Sequence, residues 1–136
     1  MFQLIYISTA RPGVDQQEVA RILGLARSRN AADRITGLLV FDGKRFLQAL
    51  EGDRTAVEAC YARIRLDPRH RAPVILSERE VEVREFGDWT MAWSRVDAID
   101  HQLSLAQLVD SLVGQVQDPN TRALFRGFAR IDRKAA

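Results

Sequence analysis

The sequence predicts an α+β sandwich of the ferredoxin-like kind, and three observations predict it. The apolar patterns run in the order β-α-β-β-α-β-β. Two stretches of helical period, one around Ile22 and one around Ile64, each separate strand patterns, as a split β-α-β architecture requires. Between them lies a hairpin pattern from Ile35 to Gly52, whose first run is apolar on both faces and so belongs deep in a covered sheet. Two helices then pack on one sheet face, and two added C-terminal helices are available for the other.

The elements follow in order. Phe2 to Ser8 alternates, with Phe2, Leu4, Tyr6 and Ser8 on one face and Gln3, Ile5 and Ile7 on the other. Pro12-Gly13 breaks the chain. Asp15 with Glu18 forms a helix-start pair, followed by Val19, Ile22, Leu23 and Ala26 at helical spacing. Asn30 lies eight residues after Ile22, so it either continues that stripe or caps the helix C-terminus.

In the hairpin, Asp42-Gly43 joins the two runs, because Gly accepts positive φ. On its second strand Gln48 shares a face with Phe46 and Leu50. A primary amide buried there without partners costs about 1–3 kcal/mol. It is therefore either bonded to nearby backbone or water, or presented to a bound polar ligand.

A second helix begins near Asp53 to Thr55, with Val57, Cys60, Tyr61 and Ile64 as its apolar stripe and Cys60 as a small core residue. Pro68 ends it, with Asp67 near its last turn. Arg63 and Asp67 are i,i+4 neighbours and are expected to pair on the surface, for about 0.3–0.5 kcal/mol. Pro73 to Leu76 and Val81 to Val83 read as strand, interrupted by Ser77-Glu78-Arg79-Glu80. Trp89, Met91 and Trp93 share one face of a further alternating run, the usual pattern of a core stripe. After a joint at Asp97 to Asp100, Leu105, Leu108, Val109, Leu112 and Val113 form an amphipathic helix. Asp118-Pro119-Asn120 starts the last helix, with Leu124, Phe125 and Phe128 on one side and a fraying polar tail from Arg130.

At 136 residues the chain has length for a domain with a real core, and 46% hydrophobic with 28% charged residues is an ordinary globular balance. A net charge of +2 argues against nucleic acid or anionic membrane as partners. With one cysteine, an intrachain disulfide and a Cys-rich metal site are excluded. No apolar run reaches transmembrane length and no leader pattern opens the chain, so the cytoplasm is the expected location. His70 and His101 are far apart in sequence, are expected to be exposed, and suggest no metal site. Dinucleotide, phosphate-loop, nucleophile-elbow and RNA-binding aromatic motifs are missing. Tyr6, Asn30 and Gln48 remain as polar residues without an assigned task.

Those residues and their surroundings resemble the BLUF family of blue-light sensors that use FAD. The resemblance rests on Leu4-Ile5-Tyr6-Ile7-Ser8, Arg29-Asn30, Ile35-Thr36-Gly37-Leu38-Leu39 and Phe46-Leu47-Gln48-Ala49-Leu50-Glu51-Gly52. It continues in Tyr61-Ala62-Arg63-Ile64, Asp67-Pro68-Arg69-His70 and Phe86-Gly87-Asp88-Trp89-Thr90-Met91. It runs from about Phe2 to Trp93, and the combination is specific where each piece alone is weak. Arg29 departs from the polar residue that the family often carries before the Asn.

The resemblance implies a flavin-binding domain over 1–97 and a C-terminal helical extension over 98–136. It implies FAD held between two helices, with Ile22 and Ile64 against its ring. Asn30 would bond its carbonyl edge, with Arg63, Asp67 and His70 at the pyrimidine side. Gln48 would lie between the flavin and the Tyr6 hydroxyl. Light would then drive electron and proton donation from Tyr6 through the Gln48 amide. That amide would be left rearranged, by rotation or tautomerisation, with a small red shift of the absorption. Trp89 and Met91 would sense the change. The implied protein is a photoreceptor and not an enzyme, a homo-oligomer that signals to a further protein. Two other classes stay open: a flavin redox protein without a light role, and a chromophore-free ferredoxin-like interaction module.

Overall fold

A computed structural model describes residues 1–41, 43–86, 92–94 and 116–135. The described elements are β1 (Phe2–Ala10), α1 (Gln16–Asp33), β2 (Thr36–Phe41), β3 (Arg45–Gly52), α2 (Arg54–Leu66), β4 (His70–Glu80), β5 (Ala92–Ser94) and α3 (Pro119–Ala135). The helix predicted around Leu105 to Val113, the boundary at 97, and Trp89, Met91 and His101 lie outside the described residues.

The five strands form one sheet in the order β4-β1-β3-β2-β5. β3 runs antiparallel between β1 and β2, so the two strands joined through α1 are separated by one strand, the split arrangement expected of the class. β4 pairs antiparallel with β1, and β5 runs parallel to β2. Strand order cannot be read from periodicity; here it makes β3 the centre of the sheet. Every residue of β2 is buried, as its two-faced apolar pattern predicts. Gly43, in the hairpin connection, has φ 95.

Each sheet face carries its own core. On one, Leu4, Tyr6, Leu39, Phe46 and Leu50 pack with Val19 of α1 and with Val57, Cys60 and Tyr61 of α2. On the other, Ile5, Leu38, Val40, Leu47 and Ala49 pack with Phe86 and with Phe125 and Phe128 of α3. The last helix thus takes the second face, as the prediction allows. Its backbone stays helical to Ala135 rather than fraying from Arg130.

Two further expectations change. β4 is continuous from His70 to Glu80, so Ser77-Glu78-Arg79-Glu80 does not interrupt it, and Val81 to Val83 is not strand. The reason is its edge position: among the described residues β4 has a ladder partner on one side only, so Glu78 and Glu80 reach solvent and Pro73 forfeits no inner hydrogen bond. Register shifts against β1 accommodate its length, one of them beside Ala72 at φ 50. α1 runs three residues past Asn30 to Asp33, and Arg34 at φ 57 provides the left-handed cap. Asn30 is therefore a buried side chain within the helix and not its cap.

Candidate functional site

Between α1 and α2, over the sheet, lies a cleft of about 350 Å³. Its floor comes from the hairpin, where Leu39 and Gln48 are direct cross-strand partners. Ile22, Leu25, Ala26, Arg29 and Asn30 line it from α1, at the helical spacing that the sequence displays. Cys60, Arg63 and Ile64 line it from α2, and Asp67, Arg69 and His70 close the end where α2 passes into β4.

Of the residues expected at a site, Ile22, Asn30, Gln48, Arg63, Ile64, Asp67 and His70 all meet in this one cleft. Tyr6 does not line it. It is fully buried beside the cleft, on the same sheet face, where β1 makes it the cross-strand partner of Gln48 across from Leu39. Its hydroxyl donates to Gln48 Oε1. The neighbouring Tyr61 ring, 5.3 Å away between centroids, packs against it. Burial above all raises the Tyr6 pKa well above the ordinary phenol value, with Cys60, Tyr61 and Asp67 adding to it, so the group stays protonated and remains a donor.

The cleft's far end is polar. Arg69 grips Asp67, Nη2 to Oδ2 at 2.7 Å and Nε to Oδ1 at 2.9 Å, and also reaches Glu18 at 3.3 Å. This contact chiefly holds the Asp67 carboxyl below its ordinary value. Arg63 faces Asp33 at 3.6 Å. The expected Arg63–Asp67 surface pair is thus replaced by two others, because Asp67 lies past the last helical residue and turns toward Arg69. His70 is half-buried rather than exposed, with Nδ1 2.8 Å from Ser8 Oγ. Burial, aided by Arg69, lowers its pKa against the opposing pull of Asp67, which keeps the ring neutral. Cys60 is a buried core residue as expected, and its Sγ also approaches Asn30 Oδ1 at 3.8 Å.

The sequence reading missed Leu25, Ala26, Arg29, Leu39, Cys60 and Arg69 as lining residues. Leu25, Ala26 and Arg29 stand three, four and seven residues after Ile22, so the helical period carried the signal. Leu39 was findable by counting back from the hairpin turn.

A model of the family described as "Sensors of blue-light using FAD" matches residues 1–92. The chain belongs to the BLUF family. It is 33% identical over 118 residues to the photoactivated adenylate cyclase subunit alpha of Euglena gracilis, a match that takes in 83% of this chain and 12% of that one. It is 36% identical over 84 residues to the blue light- and temperature-regulated antirepressor BluF of Escherichia coli, covering 62% and 21% respectively. The chain therefore spans a small part of the length of these curated relatives. Among solved structures it resembles BlrB, a BLUF protein in its dark state, with a TM-score of 0.73, 28% identity and 95% of each chain covered. It also resembles Klebsiella pneumoniae BlrP1 with FMN and cyclic diGMP, at a TM-score of 0.77 and 27% identity over 98% of this chain and 35% of that one.

This chain is a flavin-binding blue-light sensor domain, and its residues suit the cofactor. Ile22 and Ile64 offer apolar surface to a flat ring, and Asn30 and Gln48 offer amide groups to its polar edges. Among the described residues Arg63 Nη2 is a buried nitrogen with an ion pair but no hydrogen bond, which fits a polar group in the cleft. Among the described residues, no group of three or more His, Cys, Asp or Glu is placed to hold a metal, and no helix is long and apolar enough to cross a membrane.

Proposed function

We propose that the flavin is FAD and that Ile22, Asn30, Gln48, Arg63, Ile64, Asp67 and His70 hold it, with Tyr6 acting from the neighbouring strand through Gln48. The hydrogen bond from Tyr6 to Gln48 Oε1 at the cleft floor carries this reading. Oxidised flavin, when bound, supplies blue absorption and on excitation a strong oxidant. The protein's part is to hold a proton donor and one amide in line. Tyr6 keeps its proton in the resting state, and an electron withdrawn from the phenol to the excited flavin would make that proton acidic; return of electron and proton would restore Tyr6 and leave only the amide changed. Gln48 Oε1 is its acceptor. An amide has a donor end and an acceptor end, so rotation or tautomerisation of Gln48 exchanges which of them serves the cleft. That exchange is what a small red shift reports.

In this reading the chain is a sensor rather than an enzyme, works in the cytoplasm, and passes its state through residues beyond 97 to a second copy or to another protein. Relatives named as a cyclase and an antirepressor support a downstream partner for the domain. Released chromophore from denatured protein identifies the flavin, and a difference spectrum after blue light tests the photoreaction. Protein that stays colourless after incubation with FAD, or coloured protein without a red shift, overturns the reading.

A further inference from the structure

Three residues after Gln48, on the opposite face of the same strand, stands a carboxylate that the cleft does not use. Glu51 is fully buried. Gln48 lies in register between Tyr6 and Leu39; Glu51 lies in register between Gln3 and Thr36. The two cross-strand rows are thus about 10 Å apart along the strand.

A buried carboxylate needs donors, and Glu51 has four, from three different segments. Its Oε1 accepts from Thr36 Oγ1 and from the backbone N–H of Phe86, each at 2.8 Å. Its Oε2 accepts from the backbone N–H of Glu85 at 3.0 Å and from Gln3 Nε2 at 3.3 Å. Arg84 closes the same knot. It donates to Thr36 Oγ1 at 2.8 Å, to the Glu51 carbonyl at 3.2 Å and to the Arg34 carbonyl at the end of α1 at 2.7 Å. Phe86, held by this knot, is fully buried against Phe125 of α3, 6.0 Å between ring centroids. From the other side Arg79 links Gln3, Glu85 and Asp118, the residue whose Oδ2 caps α3 through the Thr121 N–H.

We propose that Glu51 is a positioning residue for signal output. It ties the strand that carries Gln48 to the backbone at residues 85 and 86, and through Phe86 to α3. A change in hydrogen bonding at Gln48 shifts β3, and the two backbone amides follow because their acceptor sits on that strand. The inference rests on the sensor reading above and extends it from the cleft to the opposite sheet face.

The test uses the full chain loaded with FAD and the near-isosteric Glu51→Gln, which replaces an acceptor oxygen by a donor and so cannot serve all four donors. The variant is expected to keep the dark flavin spectrum and the red shift. The amides of Glu85 and Phe86 exchange about tenfold faster in the dark. Recovery of the dark spectrum after illumination changes by about fivefold or more, and light-induced exchange in α3 is reduced. A merely structural residue would move stability but not recovery with the red shift intact. Arg84→Met, which removes the same knot's guanidinium while leaving the four donors to the Glu51 carboxylate, should act in the same direction and carries the test where Glu51→Gln does not fold. Wild-type recovery and wild-type exchange at residues 85 and 86 in a folded variant overturn the proposal alone. A wild-type chain with FAD that gives no red shift overturns the sensor reading and this proposal together.

Discussion

Tyr6 and Gln48 show how much a single hydrogen bond decides. Both sit on interior strands beside large apolar neighbours, where an unmet polar group costs about 1–3 kcal/mol. Each meets the other. Tyr6→Phe should therefore keep flavin bound, since the ring remains, yet lose the normal red shift because the donor is gone. Gln48→Leu should abolish the shift by removing the bridging amide. Difference spectra of the illuminated variants check both, and a wild-type shift in either one removes that residue from the photoreaction. His70 supplies a pH prediction at the same scale. Burial lowers its folded pKa, whereas in the unfolded chain it takes up a proton as pH falls through about 6.5. Below that pH the unfolded state binds more protons, so stability present above about pH 6.5 is lost as pH falls through the folded value. Urea unfolding across pH 7.5 to 5 should show this slope, and His70→Asn should flatten it.

The ends of elements carry their own strain. Arg34 caps α1 in the left-handed region at φ 57, where a β-carbon is unfavourable by about 1–2 kcal/mol. Its role there is played by backbone, as the carbonyl that Arg84 reaches. Arg34→Gly should thus stabilise the protein by about 0.5–1 kcal/mol, seen as a higher urea midpoint at unchanged slope. Gly52, at the end of β3, sits against the same turn. A β-carbon added there would lie 3.0 Å from the Arg34 carbonyl oxygen, a backbone atom with little room to yield. Gly52→Ala should cost about 1–3 kcal/mol in the same measurement.

For the whole molecule, the sheet is a wall between a cleft on one face and α3 on the other. α3 is more than an appendage: Phe125 is fully buried and Phe128 nearly so, over Ile5, Leu38, Val40, Leu47 and Ala49. Phe125→Ala should cost about 3–5 kcal/mol, a large part of a typical total of about 5–15 kcal/mol. A chain ending at Asp100 uncovers that face and should aggregate or unfold at a lower urea midpoint. Loss of light-dependent assembly in such a truncation would therefore not by itself identify an output element. Glu51→Gln leaves α3 over that face, so scattering of this variant in dark and light checks assembly with the face covered.

The sequence by itself determined the class and most of the described elements. Alternation, helical period, the Asp15/Glu18 start and the Asp42-Gly43 connection are local consequences of backbone geometry, and each is legible within a dozen or so residues. It also marked Tyr6, Asn30 and Gln48, because a polar side chain in an apolar stripe departs from the local pattern. Tertiary structure decided what those residues do. That Tyr6 lies beside the cleft, behind Gln48, depends on β3 lying between β1 and β2, a pairing without a period in the sequence. Asp67 bonds Arg69 and not Arg63 because the helix ends before it. β4 runs through its charged stretch because it is an edge strand, and edge or centre is a property of the assembled sheet. Glu51 is the clearest case. In sequence it is one more charge in a strand, and only the convergence of Gln3 on β1, Thr36 on β2 and the backbone N–H groups of 85 and 86 supplies the donors that let it be buried.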